Sequence, residues 1–557
     1  MNKRINLKLI KLSCILVIII MSTHQIAESF NYYIDQGVIP LLGYFNIWFM
    51  TFIALGAVSL ADSKSIRIIW GLFFILFSFT LDLHYSVLHE SLSMDSFMAL
   101  WKEKAEAPEA IQQYFNLGLG PLLRAVLTMV LLYMPAPKIK GIKASLVAMI
   151  CICIVSVQSI ALLVKPKGIG FDGIPGHLSA FGILFSFIYL DVTTWNPERD
   201  PVSLPLTGSP KIKNIILIVD ESIRGDFIDI NLRQDTTPYL LANKNRIINF
   251  GLAVAGTNNS AATNSFLRMG AVQDSLLRSD VRTLFKNTLI WQYAHNASVK
   301  TAFIDCQRDG VLQNYMTETE KNYIDYFIQI PRSNEYSMDH NAVPVIKKLI
   351  QMEHGPLFIY INKNGTHFHY EKRYPSDKKY FKPTLEQNST VSDRKRLVNS
   401  YKNSIRWTVD DFFSLLLKDL PLSETVIIYT SDHGQNLMND GTTVTHFRFK
   451  NAIPQEVIVP LFILTDNYEV KQMFKKQAAY NFNHASHFYI FPTVLALFGY
   501  DHSSIVERYQ PTLMDRGDHD LVFFTGNVRY GRLHPYHIPH PLTYYTEKDF
   551  TQTQTNK

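Results

Sequence analysis

Residues 214–222 read Asn-Ile-Ile-Leu-Ile-Val-Asp-Glu-Ser, a short unbroken apolar run that ends on two carboxylates and a hydroxyl. A run this short, rich in Ile and Val, reads as a strand buried on both faces. The pattern recurs at residues 357–362 (LFIYIN), 425–430 (TVIIYT) and 457–464 (VIVPLFIL). Helical periodicity lies between these runs, notably over 399–417. Apolar strands alternating with helices predict an α/β sheet covered on both sides. Ligands of such sheets gather at the carboxyl ends of the strands.

Polar clusters stand at those ends. Asp220-Glu221-Ser222 follow the first run, and Ser431-Asp432-His433-Gly434 follow the run at 425–430. Residues 363–375 (KNGTHFHYEKRYP) follow the run at 357–362, and a further polar stretch, GTNNSAATNS, spans 256–265. His446, in VTHFRF, lies a few residues beyond His433. Glu221, Asp432 and His433 supply two carboxylates and one imidazole, a set that suits zinc. A hydroxyl beside such an ion can be deprotonated and become a nucleophile. His367 and His446 could serve a second ion, an anionic substrate or the leaving group. The pattern points to phosphate or sulfate ester chemistry. Each part also has an ordinary reading: Asp-Glu as a helix cap, Ser-Asp-His-Gly as a turn, and the Ser/Asn stretch as the capped start of a helix. That last reading agrees with chemistry there, because a helix N-terminus favours an anion.

Outward from this domain the character of the chain changes. Of the 557 residues, 47% are hydrophobic and only 18% charged, which excludes a disordered chain. The apolar residues crowd into the first 165, as five runs near 7–26, 41–61, 68–87, 117–134 and 144–164, each close to the ~20 residues a bilayer requires. Lys3, Arg4, Lys8 and Lys11 stand at the start, Lys64 and Arg67 between the second and third runs, and Lys138, Lys140 and Lys143 between the fourth and fifth. The loop at 21–40 has no Lys or Arg, and Lys102 and Lys104 are outnumbered by acids in theirs. The asymmetry puts the N-terminus inside and the chain after the fifth run outside. Residues 177–189 are apolar but short and read as an interfacial helix. Asp82, His84 and Arg124 fall near the outer ends of their runs, where lipid head-group contact or snorkelling would explain them. The expected organisation is a five-helix transmembrane domain over 1–165, an interfacial helix and linker over 166–213, and an outer catalytic domain over 214–557. A net charge of +6 without a basic block suits ordinary surface charge or an anionic membrane, and no nucleic acid is expected as partner. Four cysteines, three of them in apolar runs, build no disulfide framework in the outer domain.

In motif order and in nearly its whole length, the chain resembles the membrane-bound phosphoethanolamine transferases that modify lipid A and related envelope glycolipids, within the alkaline-phosphatase/sulfatase superfamily. Glu221 stands at that family's metal-binding glutamate, and Asp432-His433 at its metal-binding pair. His367, followed by Arg373-Tyr374-Pro375, stands at its substrate-side histidine, and His446 at the histidine of its Leu-His-Gly motif. The nucleophile falls on Ser260, which would also contact the metal; Thr263 is the main alternative, and Asn259, Thr257 and Ser265 stay open. The chain departs from the family at Asp220, where a glycine is usual, at Gln435, where a glutamate is usual, and in lacking its disulfide cysteines. The resemblance implies zinc, as one ion or two, phosphatidylethanolamine as donor, an envelope glycolipid (a lipid A phosphate or core sugar) as acceptor, and an inner-membrane protein with its catalytic domain in the periplasm. A phosphoglycerol transferase or a phosphatase or sulfatase on the same fold is a second reading. A non-catalytic lipid sensor is a third.

Overall fold

The structure is a computed structural model and describes residues 2–90, 92, 97, 107–134, 140–164, 173–192, 198–278, 281–331, 333–385, 393–443, 445–446, 448, 451–528 and 532–547. Lys102, Lys104 and Lys138 lie outside these. The chain forms two compact units, Met1–Trp195 and Asn196–Lys557.

The first unit is helical: α1 (Asn2–Met21), α2 (Ile26–Asp35), α3 (Val38–Ser59), α4 (Lys64–Leu88), α5 (Ala107–Tyr133), α6 (Gly141–Val164) and α7 (Gly176–Val192). Among the described residues, four helices are long and apolar enough to cross a membrane, and a fifth span exists if α1 and α2 are one broken span. The first apolar run lies in α1 and ends where α2 begins, and the two helices meet at 83°. Ser22 and Thr23 turn their hydroxyls back onto the carbonyls of Ile18 and Ile19, and Gln25 takes a left-handed backbone (φ +55°), so the helix stops there. Residues 177–189 fall in α7. Its first half is buried against α4 and α6, with Phe181 stacked edge-on to Phe77 and Gly182 closely fitted to Ser159. Arg124 does not stand alone. It holds Asp82 through two bonds of 2.6 and 2.7 Å, and His24 reaches the same carboxylate at 2.8 Å. His84 donates to the carbonyl of Glu90.

The second unit is built on an eight-stranded mixed sheet in the order β4-β3-β5-β1-β6-β7-β2-β8. The strands are β1 (Asn214–Asp220), β2 (Ile247–Val254), β3 (Lys300–Asp305), β4 (Tyr326–Gln329), β5 (Leu357–Asn362), β6 (Thr425–Ser431), β7 (Ile458–Leu464) and β8 (Ala485–Ser486). A separate hairpin joins β9 (Val522–Asn527) to β10 (Arg532–His537). β1 lies centrally, parallel to both β5 and β6, while β7 runs antiparallel to β6 and β2. All seven β1 residues are buried. Ile216 and Ile218 enter the core on one face of the sheet and Ile215, Leu217 and Val219 the core on the other. That two-sided burial is why the strand reads as an unbroken apolar run. The expected helix over 399–417 is helix Arg394–Ile405, a wide turn at Arg406–Asp411, and a last turn at Phe412–Leu416.

Candidate functional site

The parallel register pairs Asp220 with Ser431, so the residues that follow, Glu221 and Asp432, emerge side by side at the same edge of the sheet. Backbone bonds lock the two exits together. The Asp432 amide donates to the Asp220 carbonyl (2.8 Å), and the Ser222 amide donates to Asp432 Oδ1 (3.0 Å). The next residue, His433, donates from Nδ1 to the carbonyl of Gly434 at 2.7 Å. A carbonyl can only accept, so Nε2 is the nitrogen that faces the carboxylates. It lies 3.4 Å from Glu221 Oε1 and 3.6 Å from Asp432 Oδ2.

Ligand atoms of Glu221, Asp432 and His433 all fall within 4.8 Å of one another, and all three residues are buried. Burial and the neighbouring Glu221 charge push the Asp432 carboxyl well above the carboxylate range. Burial alone would raise Glu221 too, but the hydrogen bond and charge of His433, with His367 close by, hold it well below that range. Burial pulls His433 down, yet Asp432 and Glu221 push it up to about 9. Two carboxylates this close demand positive charge between them. Asp432 Oδ2 is buried with no hydrogen-bond partner among the described residues, although its sister oxygen is fully engaged. The donor set and the orphaned oxygen both fit a divalent cation such as zinc.

Ser260 is the first residue of helix α8 (Ser260–Met269), which starts here because the Asn259 side chain caps it, accepting from the Ala262 amide at 2.9 Å. Its Oγ donates to Glu221 Oε2 at 3.1 Å and lies 3.3 Å from His433 Nε2. The other candidate hydroxyls are committed elsewhere. Thr263 is fully buried with its Oγ1 2.9 Å from that of Thr257, and Ser265 donates to the Ala262 carbonyl. The structure thus brings Ser260 to Glu221 and His433, and ties Thr263 to Thr257.

His446 stacks on His433, ring centroids 4.1 Å apart and 27° from parallel. Burial and the adjacent His433 charge hold its imidazole well below the ordinary value. His367 sits on the loop after β5. Its Nδ1 donates to the Phe368 carbonyl (2.8 Å), and Arg373 Nε grips the His367 carbonyl (2.7 Å). Arg373 therefore shapes the loop. The Gln435 amide turns to the Tyr370 hydroxyl, 2.7 Å away.

Two further residues join the site that the sequence did not single out, although Lys363 opens the polar cluster after the run at 357–362. Gln307 donates from Nε2 to Glu221 Oε2 at 3.0 Å. Lys363, fully buried, pairs with Asp220 at 2.5 Å. The sequence signal for Gln307 is its place two residues beyond the end of β3. The signal for Lys363 is the carboxylate at 220.

The family model described as Sulfatase matches residues 213–500. The Kdo(2)-lipid A phosphoethanolamine 7''-transferase of Salmonella typhimurium is 24% identical over 299 residues, 51% of each chain. The phosphoethanolamine transferase EptA of Escherichia coli K12 is 29% identical over 140 residues, 23% of this chain and 25% of that protein. The chain spans about half the length of the first of these relatives and a quarter of the second. Among solved structures, the integral membrane lipooligosaccharide phosphoethanolamine transferase A of Neisseria meningitidis superposes with a TM-score of 0.59 at 17% identity, covering 85% of this chain and 92% of that one. The likeness extends over both units of the fold.

Proposed function

Because the chain belongs to the Sulfatase family, we propose that it is an enzyme of the phosphoethanolamine transferase branch. In this reading it moves phosphoethanolamine from phosphatidylethanolamine to an envelope glycolipid, a lipid A phosphate or a core sugar. The observation that carries the reading is the Ser260 hydroxyl within reach of both Glu221 and His433. The relatives named above, transferases acting on lipid A or lipooligosaccharide, supply the substrate class.

Glu221, Asp432 and His433 would hold zinc, with Ser260 Oγ beside it. Bound there, the ion supplies positive charge for a phosphoryl oxygen and lowers the pKa of a neighbouring hydroxyl. The residues do the rest. Ser260, at a helix N-terminus whose dipole favours a phosphate, presents Oγ to phosphorus. Ser260 loses its hydroxyl proton to solvent, an Oγ–P bond forms as the bond to the diacylglycerol oxygen breaks, and His367 or His446 protonates that oxygen. The enzyme then carries phosphoethanolamine on Ser260. The acceptor oxygen then attacks phosphorus, the Oγ–P bond breaks, and the histidine that protonated the leaving oxygen, now neutral, takes the acceptor's proton, which returns Ser260 to its starting state. The apolar helices keep the catalytic unit at the membrane that holds the donor, raising its effective concentration. The Lys/Arg asymmetry supports an inner-membrane protein with residues 1–165 as its membrane domain and 214–557 in the periplasm.

The test is zinc content and intact mass of the purified full-length protein after incubation with phosphatidylethanolamine. Stoichiometric zinc and a phosphoethanolamine adduct establish the first half-reaction. Zinc with an adduct formed only from phosphatidylglycerol shifts the reading to glycerol phosphate transfer. Neither zinc nor adduct defeats the enzyme reading in favour of a lipid sensor.

A further inference from the structure

We propose that Lys363 and Gln307 are positioning residues that aim the Glu221 carboxylate at the ion, a role that rests on the zinc reading above. Lys363 follows β5 and lies beside the end of β1, where Val219 pairs with Asn362. Its ammonium reaches Asp220 Oδ2 at 2.5 Å and Asp339 Oδ2 at 3.7 Å, and donates to the Thr408 carbonyl. The Phe412 ring lies 4.2 Å from it. Lys363 and Asp220 are both wholly buried. A buried cation and carboxylate are kept in one arrangement because leaving either alone is costly.

The pair acts on Glu221 through short links. Asp220 Oδ1 accepts from the Glu221 amide at 3.0 Å, and Tyr429 donates to Asp220 Oδ2 at 2.8 Å. The Lys363 carbonyl accepts from Gln307 Nε2 at 2.9 Å, and that same Nε2 donates to Glu221 Oε2 at 3.0 Å. Gln307 is in turn fixed by its own amide, which donates to Asp305 Oδ1 at 3.0 Å. The segment after Lys363 crosses directly over Glu221. Thr366 donates its amide to the Glu221 carbonyl at 3.0 Å, and Asp339 accepts from the amides of Asn364 and Gly365. Gly365 has φ +49°, and a Cβ there would strike Asp220 Oδ1 and the Glu221 backbone. Main chain and carboxylate of Glu221 are therefore both held by the loop that Lys363 pins. Residues that orient a ligand from behind in this way govern metal affinity without touching the ion.

The experiment is zinc titration of metal-stripped, full-length protein in detergent. Gln307→Met keeps the length of the side chain and removes the donor. It is expected to weaken zinc binding by about 10–100-fold, with the Tm of the zinc-free protein unchanged. Lys363→Met is expected to act in the same direction. Should that variant not fold, the neutral pair Asp220→Asn/Lys363→Met replaces it. Parent-like zinc affinity in Gln307→Met overturns the proposal, even if transfer activity falls. A parent protein that takes up no zinc overturns this proposal and the zinc reading together, which separates the two failures.

Discussion

The Ser260 hydroxyl donates to Glu221 across 3.1 Å. Thr263, one turn further along the same helix, turns its hydroxyl to Thr257. Ser260→Ala is therefore expected to abolish the covalent adduct and to lower transfer by about a thousand-fold or more. Thr263→Val should keep the adduct and lose about 1 kcal/mol of stability with its buried hydrogen bond. Intact mass and thermal unfolding of the two variants check both halves. An adduct in Ser260→Ala would return the role to another hydroxyl.

His446 lies face to face with His433, and its Nδ1 stands 3.1 Å from the Thr445 hydroxyl. His446→Gln is expected to lower kcat by about 100-fold or more while zinc content stays at the parent level. His433→Gln should lose the zinc itself. Elemental analysis beside a transfer assay distinguishes the two histidines, and zinc loss in His446→Gln would make it a ligand.

The orphaned Oδ2 of Asp432 gives a prediction about stability. Zinc at 100 times its Kd should stabilise the parent by about 2.7 kcal/mol by mass action. Asp432→Asn should erase that gain. Without zinc the same variant is expected to match or exceed the parent, because it relieves the repulsion between Asp432 and Glu221. Thermal scans with zinc and with chelator measure both quantities. A zinc-induced rise that survives in Asp432→Asn would exclude that carboxylate as a ligand.

His487 sets a pH dependence. It is buried between Thr430, 2.8 Å from its Nε2, and the Gly256 amide, which donates to Nδ1 at 3.4 Å. Burial holds its imidazole down at about 3, against an unfolded value near 6.5. Below pH 6.5 the unfolded chain binds the extra proton, so stability rises with pH across this window and is lost as pH falls. The slope from this one group is about 1.4 kcal/mol per pH unit. Denaturant unfolding at pH 7.5 and 5 should show a shallower acid loss in His487→Gln than in the parent.

How much of this was legible depended on how strongly each residue's type betrays its place. β1, β5, β6 and β7 lie between other strands, so their apolar runs stood out and the residues after them marked the site edge. β2 and β3 also lie between strands and did not stand out. β2 carries Asn249 and Gly251 at an irregularity in its pairing with β7, which breaks the apolar run, and β3 opens on an exposed lysine and a threonine before only four further residues. Glu221, Asp432 and His433 were readable because each directly follows a readable strand. Ser260 was preferred to Thr263 on the resemblance alone, and the helix, once built, turns Ser260 to Glu221 and Thr263 to Thr257. Lys363 was opaque for a different reason. A lysine in a polar loop reads as a solvated charge, and only Asp220 and Asp339, brought from two other segments, make it an interior one. The bend after Met21 was hidden in the same way, because an apolar run announces length and not direction.

The central position of β1 also decides when the site comes into being during synthesis. β1 ends at Asp220, but its two neighbours begin only at Leu357 and Thr425. Until the chain has been made through Asn362 β1 has neither edge covered, and until His433 is made one edge stays open and Glu221 has no companion carboxylate. Contacts this distant in sequence form slowly, and the uncovered apolar strand invites wrong pairing while it waits. The strand that organises the finished site thus waits with an open edge, and a chain truncated before Thr425 would carry that hazard with no route to an assembled cluster.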